Sequence, residues 1–272
     1  MDRFERGAEA FEELCRVMAR LRAPDGCPWD QEQTIASLKP YLLEEAYETL
    51  EAMTSGNDEE HCEELGDLLL QIVFQAEISQ ETSFDIEAVA RGITAKLVRR
   101  HPHVFADARA DNAAEVAQSW EEIKAAEKKY RKSILEGIPA GLPALLKAYR
   151  TGEKAAGVGF DWPDASGPRA KFEEEWGELG EALEGESEDR IKEEMGDTLF
   201  ALVNYSRHLG IEPEDALRGA IDKFHSRFRH VEAAASGAEA KVRDLGIDRL
   251  NELWEEAKRL EQSVPPGRIH TS

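Results

Sequence analysis

An acidic pattern that occurs twice constrains this chain more than any other feature. Glu174-Glu175-Trp176-Gly177-Glu178 is followed by Glu193-Glu194-Met195-Gly196-Asp197. The earlier copy reads Glu44-Glu45-Ala46-Tyr47-Glu48 and then Glu63-Glu64-Leu65-Gly66-Asp67, so each position recurs at an offset of 130 residues. Residues three or four apart share a helix face. Glu45 with Glu48, Glu64 with Asp67, Glu175 with Glu178 and Glu194 with Asp197 therefore form carboxylate pairs. Two such helices running antiparallel would aim four carboxylates at one point. Asp and Glu fill 56 of 272 positions, so a single copy reads as a solvated helix face. Recurrence at fixed spacing argues otherwise, because like charges at i, i+3 and i+4 repel and a surface without a task gains nothing from them. A metal site in each half is expected.

The whole chain narrows the setting. At 272 residues it can bury one large core or two ordinary ones, and the repeat favours two. A formal charge of −22 repels nucleic-acid polymers and anionic membranes alike. No apolar run approaches the length of a membrane span, and Met1-Asp2-Arg3-Phe4-Glu5-Arg6 lacks the apolar core of a signal peptide, so a cytoplasmic protein is expected. Cys15, Cys27 and Cys62 have no Cys-x-x-Cys spacing and read as ordinary thiols.

Along the chain the apolar period is helical throughout, with no sustained two-residue alternation, and an all-α fold follows. A helix over 8–21 carries Phe11, Leu14, Cys15, Met18 and Leu21, and a loop through Cys27-Pro28-Trp29-Asp30 leads to a helix capped by Ser37. Asp58 is the expected cap of the next helix, on which Leu65, Leu68, Leu69, Ile72, Val73 and Ala76 form an apolar stripe bordering the acids. Asp85 caps a helix that stops before Pro102, and another spans 113–131. Two prolines and two glycines in 137–143 mark a linker between a first domain, 1–136, and a second, 144–262. Helices over 142–156, 170–183, 189–208, 213–231 and 247–260 repeat the first set, and the tail, 263–272, is expected to be disordered.

With these residues in view, the chain resembles the MazG family of nucleoside triphosphate pyrophosphohydrolases in its long, two-domain bacterial form. The resemblance covers about residues 8–262 and rests on several motifs. These are Gly26-Cys27-Pro28-Trp29-Asp30, both acidic copies, Arg99-Arg100-His101-Pro102-His103-Val104-Phe105-Ala106-Asp107, and Val158-Gly159-Phe160-Asp161-Trp162. It implies two tandem MazG-like helical bundles that dimerise. It also implies Mg²⁺-dependent cleavage of ribo- and deoxyribonucleoside triphosphates to monophosphate and pyrophosphate, and a role in clearing nucleotides.

On that reading Glu175, Glu178, Glu194 and Asp197 hold Mg²⁺, for which Mn²⁺ can substitute, and Glu174 or Glu193 orients the attacking water. Lys223 and Arg227, spaced i, i+4, meet the phosphates, with Lys96 and Arg100 as first-half counterparts. Trp254 and Lys258, matching Trp120 and Lys124, offer a stacking surface and a further phosphate contact. Asn204 lies two turns beyond Asp197 where the first half has Phe74, and Arg207 stands where it has Glu77. An amide can bond a base or a ribose and a phenyl ring cannot, so the second half is the expected main site. The first-half set, Glu44, Glu45, Glu48, Glu64, Asp67, Lys96 and Arg100, is then a weaker enzyme, a site of different specificity or a dimerisation scaffold. His101, His103, His208, His225 and His230 are expected to be structural.

Two other readings stay open: a nucleotide pyrophosphatase of narrower specificity, and a non-catalytic helical module whose acids bind a cation or a basic partner. Positive charge beside the acids favours a phosphate ligand over the last. A di-iron bundle is set aside because paired Glu-x-x-His ligands are missing.

Overall fold

The structure, a computed structural model, describes residues 1–80, 82–127, 133–185, 187–237 and 241–263. Among these every regular element is helical, as the apolar period requires. The chain divides into two compact units, the first Met1–Val116 and the second beginning at Ala117. The division falls within a helix, ahead of the 137–143 stretch expected as a linker.

In the first unit α1, Arg3–Arg22, starts five residues earlier than its apolar stripe indicates. Asp2 supplies the reason: its carboxylate accepts from the backbone N–H of Phe4 and Glu5, and Glu5 accepts in return from the Asp2 N–H, closing a capping box. The expected loop at Pro28 is a short helix, α2, Pro28–Glu32, with proline at its first position. Ser37 does not cap the next helix. Its hydroxyl accepts from the Thr34 N–H and the Thr34 hydroxyl from the Ser37 N–H, so both are committed to a turn, and α3 begins at Lys39 and runs to Ser55. Gly56 closes α3 in the left-handed conformation, φ 71°, where a side chain would be strained. Asn57 then caps α4, Asp58–Ser79, by accepting from Glu59 and Glu60 N–H. Asp58, the expected cap, instead lies in the first turn, where its charge suits the helix dipole.

Asp85 caps α5, Ile86–Arg100, as expected, and α6, Pro102–Phe105, follows. α1 packs on α2 and α4, α3 pairs with α4, and α5 lies on α4. Met18, Leu38, Val73 and Phe74 form the core, ringed by Phe11, Leu14, Cys15, Leu70, Ile78 and Ile86. Of the α4 stripe, Val73 and Ala76 are buried, whereas Leu65, Leu69 and Ile72 remain exposed. α7, Ala113–Glu127, crosses into the second unit; its expected end at Arg131 lies outside the described residues.

The second unit holds α8, Ala144–Ala156; α9, Ser166–Leu183; α10, Glu188–His208; α11, Pro213–Gly237; and α12, Ile247–Ser263. α9 and α10 form the closest pair, α8 packs on α10 and α11, and α12 lies along α11. Ser187 caps α10 through the Arg190 N–H. The tail beyond Ser263 lies outside the described residues.

Met18 is 1% exposed within the first core. Met18→Ala should lower the opening free energy of α1 and α4 by about 2–5 kcal/mol, measured as faster native-state amide exchange in those helices. Unchanged exchange would show that the cluster does not carry the first unit.

Candidate active site

Each acidic copy becomes a helix hairpin, α3 with α4 and α9 with α10. A threonine hydroxyl ties each hairpin at the level of its acids. Thr49 Oγ1 donates to the Glu45 carbonyl at 2.7 Å and to the Glu64 carbonyl across the hairpin at 3.3 Å. Thr198 Oγ1 donates across to the Glu175 carbonyl at 3.2 Å. As a result carboxylate oxygens of Glu175, Glu194 and Asp197 lie within 4.8 Å of one another, and those of Glu45, Glu64 and Asp67 do the same. Glu178 and Glu48 are outside these triads. They are still near enough for their charge to act on them, Glu178 on Glu194 and Glu48 on both Glu45 and Glu64.

The second triad is the more deeply set, with Glu175 8% and Glu194 1% exposed. Burial pushes the Glu194 carboxyl above the usual carboxylate range; Arg190 opposes this, while Glu178, Glu175 and Asp197 add to it. Two basic residues that the sequence reading did not single out stand one turn ahead of the acids. Lys171 Nζ lies 2.7 Å from Glu174 and 2.6 Å from Glu175, and its pKa is raised by those bonds. Arg190 pairs with Glu193 at 3.0 Å and with Glu194. Their i, i+4 spacing was visible in the sequence, but a search for repeated residues passes over them, because Tyr41 and Glu60 occupy the first-half positions. Among the described residues no cation pairs with Glu45 or Glu64, and burial first, then neighbouring carboxylates, raises both.

The donor set fits a hard divalent cation. It is all oxygen, it is partly desolvated, and Glu194 Oε2 is buried with no hydrogen-bond partner. No histidine or cysteine joins either triad, which disfavours zinc.

Of the remaining predicted second-half residues, Asn204 lies on α10 itself and the others on α11 and α12. Lys223 is exposed on α11. Arg227, one turn on, donates Nε and NH2 to Glu261 Oε2 at 3.0 and 2.8 Å and sits 5.6 Å over the Trp254 ring, so an acid on α12 already engages it. Trp254 also meets Phe224 at 5.1 Å between ring centres. Lys258 pairs with Glu255 on its own helix. In the first half Lys96 is exposed and Arg100 buried. Asn204 accepts from Arg207, which is held in turn by Asp161. Phe74, its counterpart, is 3% exposed between Trp29 and Arg22. Of the histidines, His208 bonds Asp161 at 2.9 Å and His101 the Leu97 carbonyl, both helping to fix helix ends.

This is an all-α chain with two tandem carboxylate hairpins, each with a donor set consistent with a divalent cation. Comparison with known proteins makes this specific. The MazG nucleotide pyrophosphohydrolase domain matches residues 33–105 and 169–232, one segment over each hairpin. The chain is 48% identical to the nucleoside triphosphate pyrophosphohydrolase/pyrophosphatase MazG of Thermotoga maritima over 91% of its own length and 95% of that protein's. It is 43% identical to a nucleoside triphosphate pyrophosphohydrolase of Escherichia coli K12, covering 92% and 98%. The chain belongs to the MazG nucleotide pyrophosphohydrolase family.

Glu45, Glu64 and Glu194 have folded-state pKa values above their ordinary ones. Their stabilising contribution is therefore full below the ordinary carboxylate range and is lost as pH rises through the raised values. Chelator-treated protein should lose melting temperature over that rise, and a saturating divalent cation should restore it with release of protons. Melting curves with chelator and with Mg²⁺ across pH 4–8 check this; parallel curves would count against metal binding at the triads.

Proposed function

We propose that the protein hydrolyses nucleoside triphosphates, ribo- and deoxyribo-, to nucleoside monophosphate and pyrophosphate with Mg²⁺, and so clears nucleotides from the pool. The observation that carries this reading is the triad of buried Glu175 and Glu194 with exposed Asp197, flanked by Lys171 and Arg190. It brings cation ligands and phosphate-binding charge together, within a chain similar at this length to proteins named for that activity. Bound there, Mg²⁺ would draw charge from the triphosphate and the attacking water. Glu175, Glu194 and Asp197 would hold it, with Glu178 completing the negative field.

Glu174 and Glu193 are exposed at the rim, each hydrogen-bonded to a cation, and either can take the proton of the attacking water. Lys171 and Arg190 lie on flexible stems and can exchange a carboxylate for a phosphate oxygen once a cation neutralises the acids. Lys223 and Arg227 supply positive charge for the departing pyrophosphate, Arg227 by leaving Glu261. Trp254 and Lys258 border the same helix and serve the nucleotide's base and phosphates.

The second half is the main site on this reading. It has cations against its acids and an amide at position 204, whereas the first half has Tyr41, Glu60 and the core residue Phe74. The first-half triad then holds a cation and contributes little turnover.

We infer in addition that two copies associate. Met195, Leu199 and Leu202 form an exposed apolar stripe on α10, and Leu65, Leu69 and Ile72 repeat it in register on α4. Light scattering should return twice the 30.4 kDa chain mass, and Leu199→Glu should return one; a monomeric wild-type protein would refute the dimer.

Product analysis in ¹⁸O-water tests the activity. Label in the monophosphate, with pyrophosphate and no orthophosphate, is the expected result for attack at the α-phosphorus. Asp197→Ala should reduce turnover by at least about a hundredfold with helix content unchanged, and Asp67→Ala far less. The reverse ranking would assign the main site to the first half.

A further inference from the structure

Asp161, Arg207 and Asn204 form a chain of side-chain bonds at the end of α10 beyond the carboxylates. The Arg207 guanidinium makes a two-pronged contact with Asp161, NH1 to Oδ2 at 2.9 Å and NH2 to Oδ1 at 2.5 Å. Its Nε and NH2 both donate to Asn204 Oδ1, at 3.0 and 2.9 Å. Those bonds, and that from His208, hold the Asp161 carboxyl down at about 2, so it stays ionised and anchors the guanidinium throughout the neutral range. Gly152 on α8 leaves the room: a Cβ there would stand 3.1 Å from Arg207 Nε and 3.2 Å from Asn204 Oδ1.

A guanidinium carries donors only, so the atom of Asn204 that faces it is the carbonyl oxygen, and the amide cannot flip without setting donor against donor. Nδ2 is left to point away from Arg207, and among the described residues nothing accepts from it. Asn204 is seven residues past Asp197 on one helix face, about 10 Å along the axis. A triphosphate anchored at the triad would extend its nucleoside along that face.

We propose that Arg207 is a positioning residue for nucleoside recognition: by engaging Asn204 Oδ1 it fixes the amide as a donor, so that the site selects a hydrogen-bond acceptor on the sugar or base. This rests on the second half being the nucleotide site. The first half cannot do the same, because Phe74 is in its core and Glu77 stands where Arg207 does.

Equilibrium binding separates this role from a structural one and does not depend on turnover. The probes are α,β-methylene-ATP and inorganic tripolyphosphate, each with a divalent cation, the second having no nucleoside. Asn204→Ala and Arg207→Gln should each weaken the nucleotide analogue about fivefold and leave tripolyphosphate within about twofold. The double variant should bind no more weakly than Asn204→Ala alone. Should Arg207→Gln fold poorly, Gly152→Ala crowds the same two atoms with the Asp161 pair intact and should give the same split. Equal weakening of both probes, additive losses, or an unchanged nucleotide affinity in Arg207→Gln would overturn the proposal. A wild-type protein that binds the analogue but hydrolyses no triphosphate would refute the hydrolase reading alone. One that binds tripolyphosphate as tightly as the analogue would refute this proposal.

Discussion

Three carboxylates held within 4.8 Å of one another, two of them out of water, set the terms for the second unit. Such a group is destabilising by itself, since burial and like charge both disfavour ionisation. α9 and α10 nonetheless pack closely enough for Thr198 to bond the Glu175 carbonyl. Lys171 and Arg190 offset part of the cost, each reaching one buried and one rim acid from the turn before. The compensation is incomplete: Glu194 Oε2 has no partner and its carboxyl remains above its usual range. A divalent cation bound there would relieve the residual repulsion, so the strain in the hairpin would add to its affinity for metal.

The first unit meets the same constraint differently. Among the described residues no cation pairs with Glu45 or Glu64, both carboxyls are raised, and the α4 arm of the hairpin contributes Val73 and Phe74 to the core with Met18 and Leu38. A repeat that keeps its acids and lacks the cations beside them keeps the oxygen donor set for a metal ion and loses positive charge for a phosphate. This follows from charge alone and agrees with an aromatic plug at the position where the second unit has an amide.

Much of this was legible in the sequence because a helix converts spacing directly into facing. The all-α fold and the face shared by each acid pair follow from an i, i+3, i+4 pattern; of the four acids expected to converge, the structure groups Glu175, Glu194 and Asp197 and leaves Glu178 outside. What was not legible depended on contacts between elements. Ser37 has the composition of a cap but is taken by Thr34, and Asn57 outcompetes Asp58 for the α4 terminus. Glu261 reaches Arg227 from another helix, and Asp161 reaches Arg207 across 46 positions. Lys171 and Arg190 were missed for a different reason: they are local, but they are not repeated, and repetition was the filter.

The two halves differ where the repeat breaks. Along α4 and α10 the acids recur at the 130-residue offset, whereas two to three turns beyond them Phe74 stands against Asn204 and Glu77 against Arg207. A cation demands only oxygen at short range, and duplicated backbones supply it wherever the acids persist. A nucleoside demands a donor of fixed direction, which a lone amide does not give because it can flip. Direction requires a second residue bonded to one end of the amide, and that residue needs its own anchor. Such a chain of three side chains is assembled from α10 and the loop before α9, with room left by Gly152 on α8. It is lost if any member is replaced, so specificity diverges between repeats more readily than metal binding does.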